Sequence, residues 1–197
     1  MTACGRWIRL GDVEAGELFA ASTVLAAGPG WHPAPTVLWA RAQGPLCLGS
    51  GSAAGGDLVW AETGSQLYVL TVPRRMAPGR ATRWLPWFLA PAVATCRALG
   101  APACLDGAAI RLHGRVIIEG TASLTGDCIV MAASFPCGLV PWLGVEAVIE
   151  ETLRLRLEAQ HGWQFEHAWP DASERESIRR ASAALRESAG LTSTAER

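Results

Sequence analysis

Apolar positions recur along this chain in two rhythms, and each predicts a different kind of element. Over residues 12–27, Leu18, Phe19, Ala21, Ser22 and Leu25 line a mostly apolar helical face. Asp12 stands where a helix cap is needed, and Gly28-Pro29-Gly30 ends the run. Residues 36–42 and 45–48 are short, nearly unbroken apolar runs, the pattern of strands covered on both faces. Residues 57–61 and 67–72, joined by Glu62-Thr63-Gly64-Ser65, are expected to form a hairpin because the connection is short and contains glycine. A helix follows over 83–99, interrupted by Pro86 and Pro91 and closed by Gly100. Residues 109–112 and 115–119 flank His113-Gly114 as another hairpin, and 127–133 is a further strand.

Residues 145–160 read as a helix supported by the Glu150/Arg154 and Arg154/Glu158 pairs and closed by Gly162. In the tail, Ser173 followed by Glu176 has capping-box spacing, and Ile178, Ala181 and Leu185 then repeat on one face until Gly190. The expected organisation is one α/β (α+β) domain over 1–170, a mixed β-sheet flanked by helices. A C-terminal helix and frayed tail over 171–197 complete it. No internal repeat is visible.

Composition narrows the chemistry. The chain has 197 residues with 17 basic against 18 acidic, for a net charge of -1. Every basic residue is arginine. Without lysine there is no Schiff base, no pyridoxal phosphate attachment and no phosphate-loop lysine, and arginine cannot act as the base instead. The even charge balance argues against a nucleic-acid partner. Half of the residues are hydrophobic, enough to bury a large core, and nine Trp against one Tyr should supply core and pocket walls. The six cysteines are irregularly spaced, with no C-x-x-C pair, and no secretory leader pattern opens the sequence. Free, mostly buried thiols in a cytoplasmic protein are therefore expected, with no membrane span.

Few residues announce reactivity. The small-residue loop 50–56 has glycines that let a ligand approach the backbone, yet it leads into a strand and carries no phosphate-loop ending; a simple turn explains it too. Cys137, in Phe135-Pro136-Cys137-Gly138, sits in a turn-like context where a thiol can be exposed, although a structural cysteine fits there as well. His32, His113, His161 and His167 are not spaced as metal ligands. Glu119 ends an apolar strand, either as a buried carboxylate or as an ordinary strand edge.

The order of these features resembles the superfamily of lipoate–protein ligases, octanoyltransferases and biotin–protein ligases. Gly55-Gly56-Asp57-Leu58-Val59-Trp60-Ala61-Glu62-Thr63-Gly64 is similar to its signature segment, with Trp60 in the aromatic place and Gly64 as the closing glycine. Ile110 to Ile117, through His113, Gly114, Arg115 and Val116, resembles the family's Gly-Arg-Lys hairpin, and Gly120-Thr121-Ala122 completes it with one inserted residue. Pro136-Cys137-Gly138 before an amphipathic helix resembles the octanoyltransferase segment that bears the acyl-accepting cysteine. The resemblance implies ligand contacts from Gly55, Gly56, Trp60, Gly64, Gly114, Arg115, Val116 and Gly120, with Cys137 and His113 as catalytic candidates.

The departures carry the functional reading. The family's arginine before the glycine pair is replaced by Ser52, Ala53 or Ala54, its histidine by Ala61, its Asn-Asp pair by Ala108 and Ala109, and its lysine by Val116. An acyl-adenylate needs cations aimed at developing negative charge, and losing one such donor typically costs about 100- to 1,000-fold in rate. A conventional ATP-using ligase is therefore not expected. His113 is the candidate replacement base, although on a strand it would share a face with Arg115 rather than Val116. The resemblance then implies a pseudoenzyme that binds a lipoyl-, octanoyl- or biotin-like ligand or an acyl-carrier or lipoyl domain. Two alternatives stay open: an acyltransferase using Cys137, and an interaction protein that keeps only the fold.

Overall fold

The first strand is concealed in the sequence by its charges. A computed structural model describes residues 3–27, 34–48, 59–139 and 145–188. It opens with β1 (Ala3–Val13), in which Trp7, Ile8 and Val13 are buried. The arginines that break its apolar pattern meet distant carboxylates, Arg6 on Glu174 at 2.7 Å and Arg9 on Glu150 at 2.6 Å. The helix expected from residue 12 therefore starts later, as α1 (Ala15–Ala27). Asp12 is still strand and holds Arg41 through both carboxylate oxygens instead of capping. Phe19, expected on the apolar face, is 44% exposed.

β2 (Thr36–Ala42) is the almost wholly buried strand that its unbroken apolar run predicts, and β5 (Gln66–Pro73), expected as a strand over 67–72, is buried along its whole length. β3 (Leu46–Leu48) and β4 (Val59–Ala61) pair with each other in a separate ribbon. The hairpin expected between β4 and β5 does not form. Its connection bonds the end of β2 instead, with Gly64 N–H donating to the Ala42 carbonyl and Ala42 N–H to that of Ser65. Two short 3-10 turns, Arg74–Met76 and Ala81–Arg83, lead into α2 (Trp84–Ala98). This helix is continuous: Pro86 lies in the first turn, where no N–H is needed, and Pro91 is buried inside it.

β6 (Cys104–Asp106), β7 (Ala109–Leu112), β8 (Arg115–Thr125) and β9 (Cys128–Phe135) follow as an antiparallel meander. β8 runs six residues past the predicted end at 119, because its second half pairs with β9 rather than β7. α3 (Glu146–His161) ends at Gly162 in the left-handed conformation, φ 68°, as its sequence predicts. Arg154 pairs with Glu158 as expected, but its other partner is Glu151. Glu150 turns inward, where one oxygen accepts from Trp7 Nε1 and Arg9 Nε, each at 2.6 Å.

β10 (Trp163–Ala168) is an edge strand that the sequence reading missed, its short alternation of Trp163 and Phe165 being masked by polar neighbours. α4 (Ala172–Ser188) starts two residues earlier than the Ser173/Glu176 spacing implies. The reciprocal capping pair is Asp171 and Glu174, with both bonds at 2.8 Å. Glu174 also carries the Arg6 pair, which fastens α4 to β1.

The eight-stranded mixed sheet has the order β10-β1-β2-β5-β9-β8-β7-β6, with β1 parallel to both neighbours and the other pairs antiparallel. One core cluster joins Trp7, Trp39, Tyr68 and Phe135 to Phe88 of α2 and Leu153 of α3. The other joins Ile8, Leu38, Leu67 and Val69 to Leu18 and Leu25 of α1 and Ile178 of α4. No helix among the described residues is long and apolar enough to cross a membrane.

Candidate functional site

Cys137 stands just past β9 on a tight turn closed by Leu139 N–H to the Pro136 carbonyl. Its thiol is exposed. β5 and β9 pair Gln66 with Phe135, and the same register carried two residues further sets Gly64 beside Cys137. A Cβ on Gly64 would stand 3.6 Å from the Cys137 Cβ, and φ at Gly64 is +83°, a conformation that side chains rarely adopt. The signature-like segment thus ends against the cysteine, although the two lie far apart in sequence. The carboxylate facing the thiol is Glu62, with Cys137 Sγ 3.6 Å from Glu62 Oε2. Sequence reasoning missed Glu62; its place inside the motif was the available signal.

His113 is not on a strand. It has φ 50° and forms, with Gly114 at φ 79°, the two-residue turn between β7 and β8, so strand-face geometry does not apply to it. Among the described residues, the hydrogen-bond partner of the Cys137 thiol is Glu62 rather than His113. Arg111 braces the turn, donating to the Gly114 carbonyl at 2.9 Å and to Asp106 at 2.6 Å. Arg115 is exposed opposite Leu112, and Val116, 41% exposed, pairs with Arg111 across a register shift that inserts Ile117. Gly120 is buried under α2, where a Cβ would approach Leu85 and Leu89 to 3.2–3.3 Å. Gly55 and Gly56 lie outside the described residues, and the Trp60 backbone pairs with Cys47 in the β3–β4 ribbon.

Several buried polar atoms lack partners: Ser65 Oγ just before β5, Gln66 Oε1, Tyr68 OH and Thr71 Oγ1 along it, Trp39 Nε1 opposite Tyr68, and His161 Nε2. Most buried polar groups are paired, and each unpaired one costs about 1–3 kcal/mol; of these six, those of Ser65 and Gln66 are next to Gly64 in the chain. Tyr68 is stacked on Phe88 with ring centroids 4.5 Å apart, and burial alone holds its hydroxyl well above the ordinary tyrosine range. Burial likewise pushes the Cys96 thiol up to about 11. Of the described cysteines, Cys96 and Cys128 are buried while Cys4, Cys104 and Cys137 are exposed, more exposure than expected. His161 packs against Trp87 and Trp163, and burial lowers its pKa to about 4, so it is neutral.

Four positions that the resemblance assigns to the family's charged or polar residues carry no charge. Ala61, Ala108, Ala109 and Val116 offer neither a cation for phosphates nor a carboxylate for a metal. Among the described residues no three His, Cys, Asp or Glu side chains gather as a metal-ligand set. What the arrangement does offer is an accessible thiol, a nearby carboxylate and uncommitted buried donors and acceptors.

No family model matches the sequence, and no curated protein matches it. Solved structures do. A bipartite lipoate protein ligase from Thermoplasma acidophilum, described with its E2 lipoyl domain, superposes with a TM-score of 0.71 at 10% identity over 92% of each chain. A lipoate-protein ligase A bound with ATP gives 0.69 at 12% identity, over 93% of this chain and 95% of its own. The biotin acetyl coenzyme A carboxylase synthetase from Helicobacter pylori, with biotinylated ATP, gives 0.53 at 12% identity over 81% and 75%. The order of motifs and the superposition agree: this chain carries the fold of lipoate and biotin protein ligase catalytic domains.

Proposed function

We propose that the chain is a lysine-free binding protein on a ligase frame, holding a lipoyl-, octanoyl- or biotin-like group at the Gly64–Cys137 end of the sheet. The observation that carries this reading is the unpartnered buried atoms of Ser65 and Gln66, next to Gly64 in the chain, with those of Tyr68 and its cross-strand partner Trp39 two residues further along β5. A ligand amide, ureido or carboxyl group supplies what they lack, and the aromatic core supplies an apolar wall. The carrier of such a group is an acyl-carrier or lipoyl domain; one structural neighbour is described with its own lipoyl domain. ATP is outside this reading, because the phosphate-binding charges are absent.

Titration of tryptophan fluorescence with lipoate, octanoate, biotin and ATP tests it. Saturable quenching by one of the first three, without a response to ATP, is expected. Silence toward all four overturns the pocket.

The Cys137–Glu62 contact favours a second reading, acyl transfer. Glu62 takes the thiol proton as Cys137 Sγ attacks the thioester of an acylated carrier. The carrier's C–S bond then breaks, and its thiolate leaves with that proton. Intact mass after incubation with octanoyl-carrier protein decides it. An adduct present in the wild type, absent in Cys137→Ser and slowed in Glu62→Gln establishes transfer, and no adduct leaves binding as the function.

A further inference from the structure

The other end of β5 and β9 holds a different concentration of chemistry. There the chain leaves Pro73, opposite Cys128, and turns through the two 3-10 segments before α2. Arg74, Arg75, Arg80 and Arg83 lie on this stretch, and all four are exposed. The sequence has no acidic residue between Glu62 and Asp106. Among the described residues, none of the four makes an ion pair, whereas Arg6, Arg9, Arg41, Arg111, Arg154 and Arg179 each hold a carboxylate.

Arg74 and Arg75 also line a cleft of about 460 Å³ together with Pro78, Gly79, Trp84 and Asp127. That volume lies within the range of small-molecule sites, roughly 300–1,000 Å³. Trp84 Nε1 donates to the Pro78 carbonyl at 2.7 Å, so the indole is anchored and offers the cleft its ring rather than its N–H. A Cβ on Gly79 would meet nothing within 4 Å, which leaves that wall open. A solvated surface accounts for scattered arginines. It does not account for two adjacent ones lining a concavity against an indole, in a stretch without acids.

Guanidinium groups are weakly hydrated, and their fork of donors matches phosphate oxygens two at a time. An indole face takes a flat ring by offset stacking. We propose that this cleft is a binding site for a phosphate monoester bearing a planar ring, its phosphate held by Arg74 and Arg75 and its ring laid on Trp84. The concave shape suits a small ligand better than an extended acidic protein surface. Asp127, the one carboxylate in the lining, repels a polyanionic strand while accepting a hydroxyl from a small ligand. The strands β5 and β9 run their full length between this cleft and Cys137, so the site stands or falls separately from the ligand pocket proposed above.

Calorimetric titration of the full chain at low salt, with phenyl phosphate, glycerol 3-phosphate and inorganic phosphate, tests the proposal. Phenyl phosphate is expected to bind about three- to tenfold more tightly than glycerol 3-phosphate, the difference being the ring contact. The double variant Arg74→Gln/Arg75→Gln is expected to weaken phenyl phosphate at least about tenfold. Trp84→Leu should bring phenyl phosphate down to the glycerol phosphate level, while Cys137→Ser binds like the wild type. Arg74→Gln alone, with its melting temperature checked, provides the comparison if Trp84→Leu does not fold. Three results overturn the site: equal affinities for the two esters, binding that survives the double arginine variant, or tighter binding of a short single-stranded oligonucleotide or an acidic peptide.

Discussion

The two ends of the central strands β5 and β9 differ in where they keep charge. The Cys137 end has a thiol, a carboxylate and uncharged buried polar atoms. At the Trp84 end, four arginines lie between residues 74 and 83, Arg74 and Arg75 lining one cleft, with no carboxylate bound to them among the described residues. Several arginines elsewhere are structural, Arg9 and Arg6 being neutralised by partners that tie β1 to α3 and α4. A charge with a partner explains a fold, and a charge without one asks for a ligand. By that criterion the two ends suit different ligands, an uncharged polar group at the Cys137 end and an anion at the Trp84 end.

Removing a partnered charge and removing unpartnered ones should therefore differ most in stability. Glu150→Ala strands the buried Trp7 indole N–H and leaves Arg9 without its carboxylate, an expected loss of about 3 kcal/mol. Arg74→Gln/Arg75→Gln should change stability by no more than about 0.5 kcal/mol, as exposed substitutions usually do. Urea unfolding of both variants checks this. Equal losses would mean that the arginine cleft is part of the scaffold, and the contrast between the two kinds of charge would fail.

His161 sharpens the contrast from the other side, as a titratable group that is purely structural. Its folded pKa, lowered by burial to about 4, lies below the ordinary 6.5. Below pH 6.5 the unfolded chain binds a proton there that the folded chain refuses. Stability is therefore complete above that pH and falls as pH drops toward about 4, by at most about 1.4 kcal/mol per unit. His161→Phe keeps a ring between Trp87 and Trp163 and should flatten the decline in a series of melts from pH 7 to 4.5. An unchanged slope would place the acid sensitivity elsewhere.

What the sequence makes legible follows from how far a residue's partner lies along the chain. β2, β5 and α3 could be read from their own patterns, since continuous burial or a helical stripe with Gly162 after it is local information. β1 could not, because Arg6, Arg9 and Asp12 look like solvent-facing charges until Glu174, Glu150 and Arg41 are brought to them. The β4–β5 hairpin failed for a related reason: its short turn finds a better partner in the end of β2. Cys137 was picked out by its Pro/Gly context, but Glu62 became its neighbour only through the β5–β9 register. The acid-free stretch around the four arginines was visible in the sequence; its meeting with Trp84 in a cleft was not.

Gly64 tests whether the thiol end depends on close approach. Gly64→Ala must adopt φ near +83° with a side chain, which costs about 1 kcal/mol, and its methyl lies 3.6 Å from the Cys137 Cβ, at ordinary contact. Slower labelling of Cys137 by a bulky maleimide, read against a small alkylating agent, is the expected signature. Equal labelling by both reagents would show that the turn does not shape access to the thiol.

The smallest expected effect concerns the missing lysine itself. Val116 is 41% exposed and pairs with Arg111 by its backbone, so Val116→Lys should alter stability by no more than about 0.5 kcal/mol. On the resemblance drawn from the sequence, the variant places a lysine where the family's hairpin carries one. It leaves unchanged Ala61 and Ala109, the other uncharged positions singled out by that resemblance. Catalytic groups that act as a unit are grossly non-additive, and one restored member recovers little when its partners are missing. Val116→Lys should accordingly form no acyl-adenylate with ATP and lipoate, measured by pyrophosphate release. Release well above that of the wild type would mean that the reaction end lacks a single charge rather than a set, and that the frame is closer to an enzyme than its composition implies.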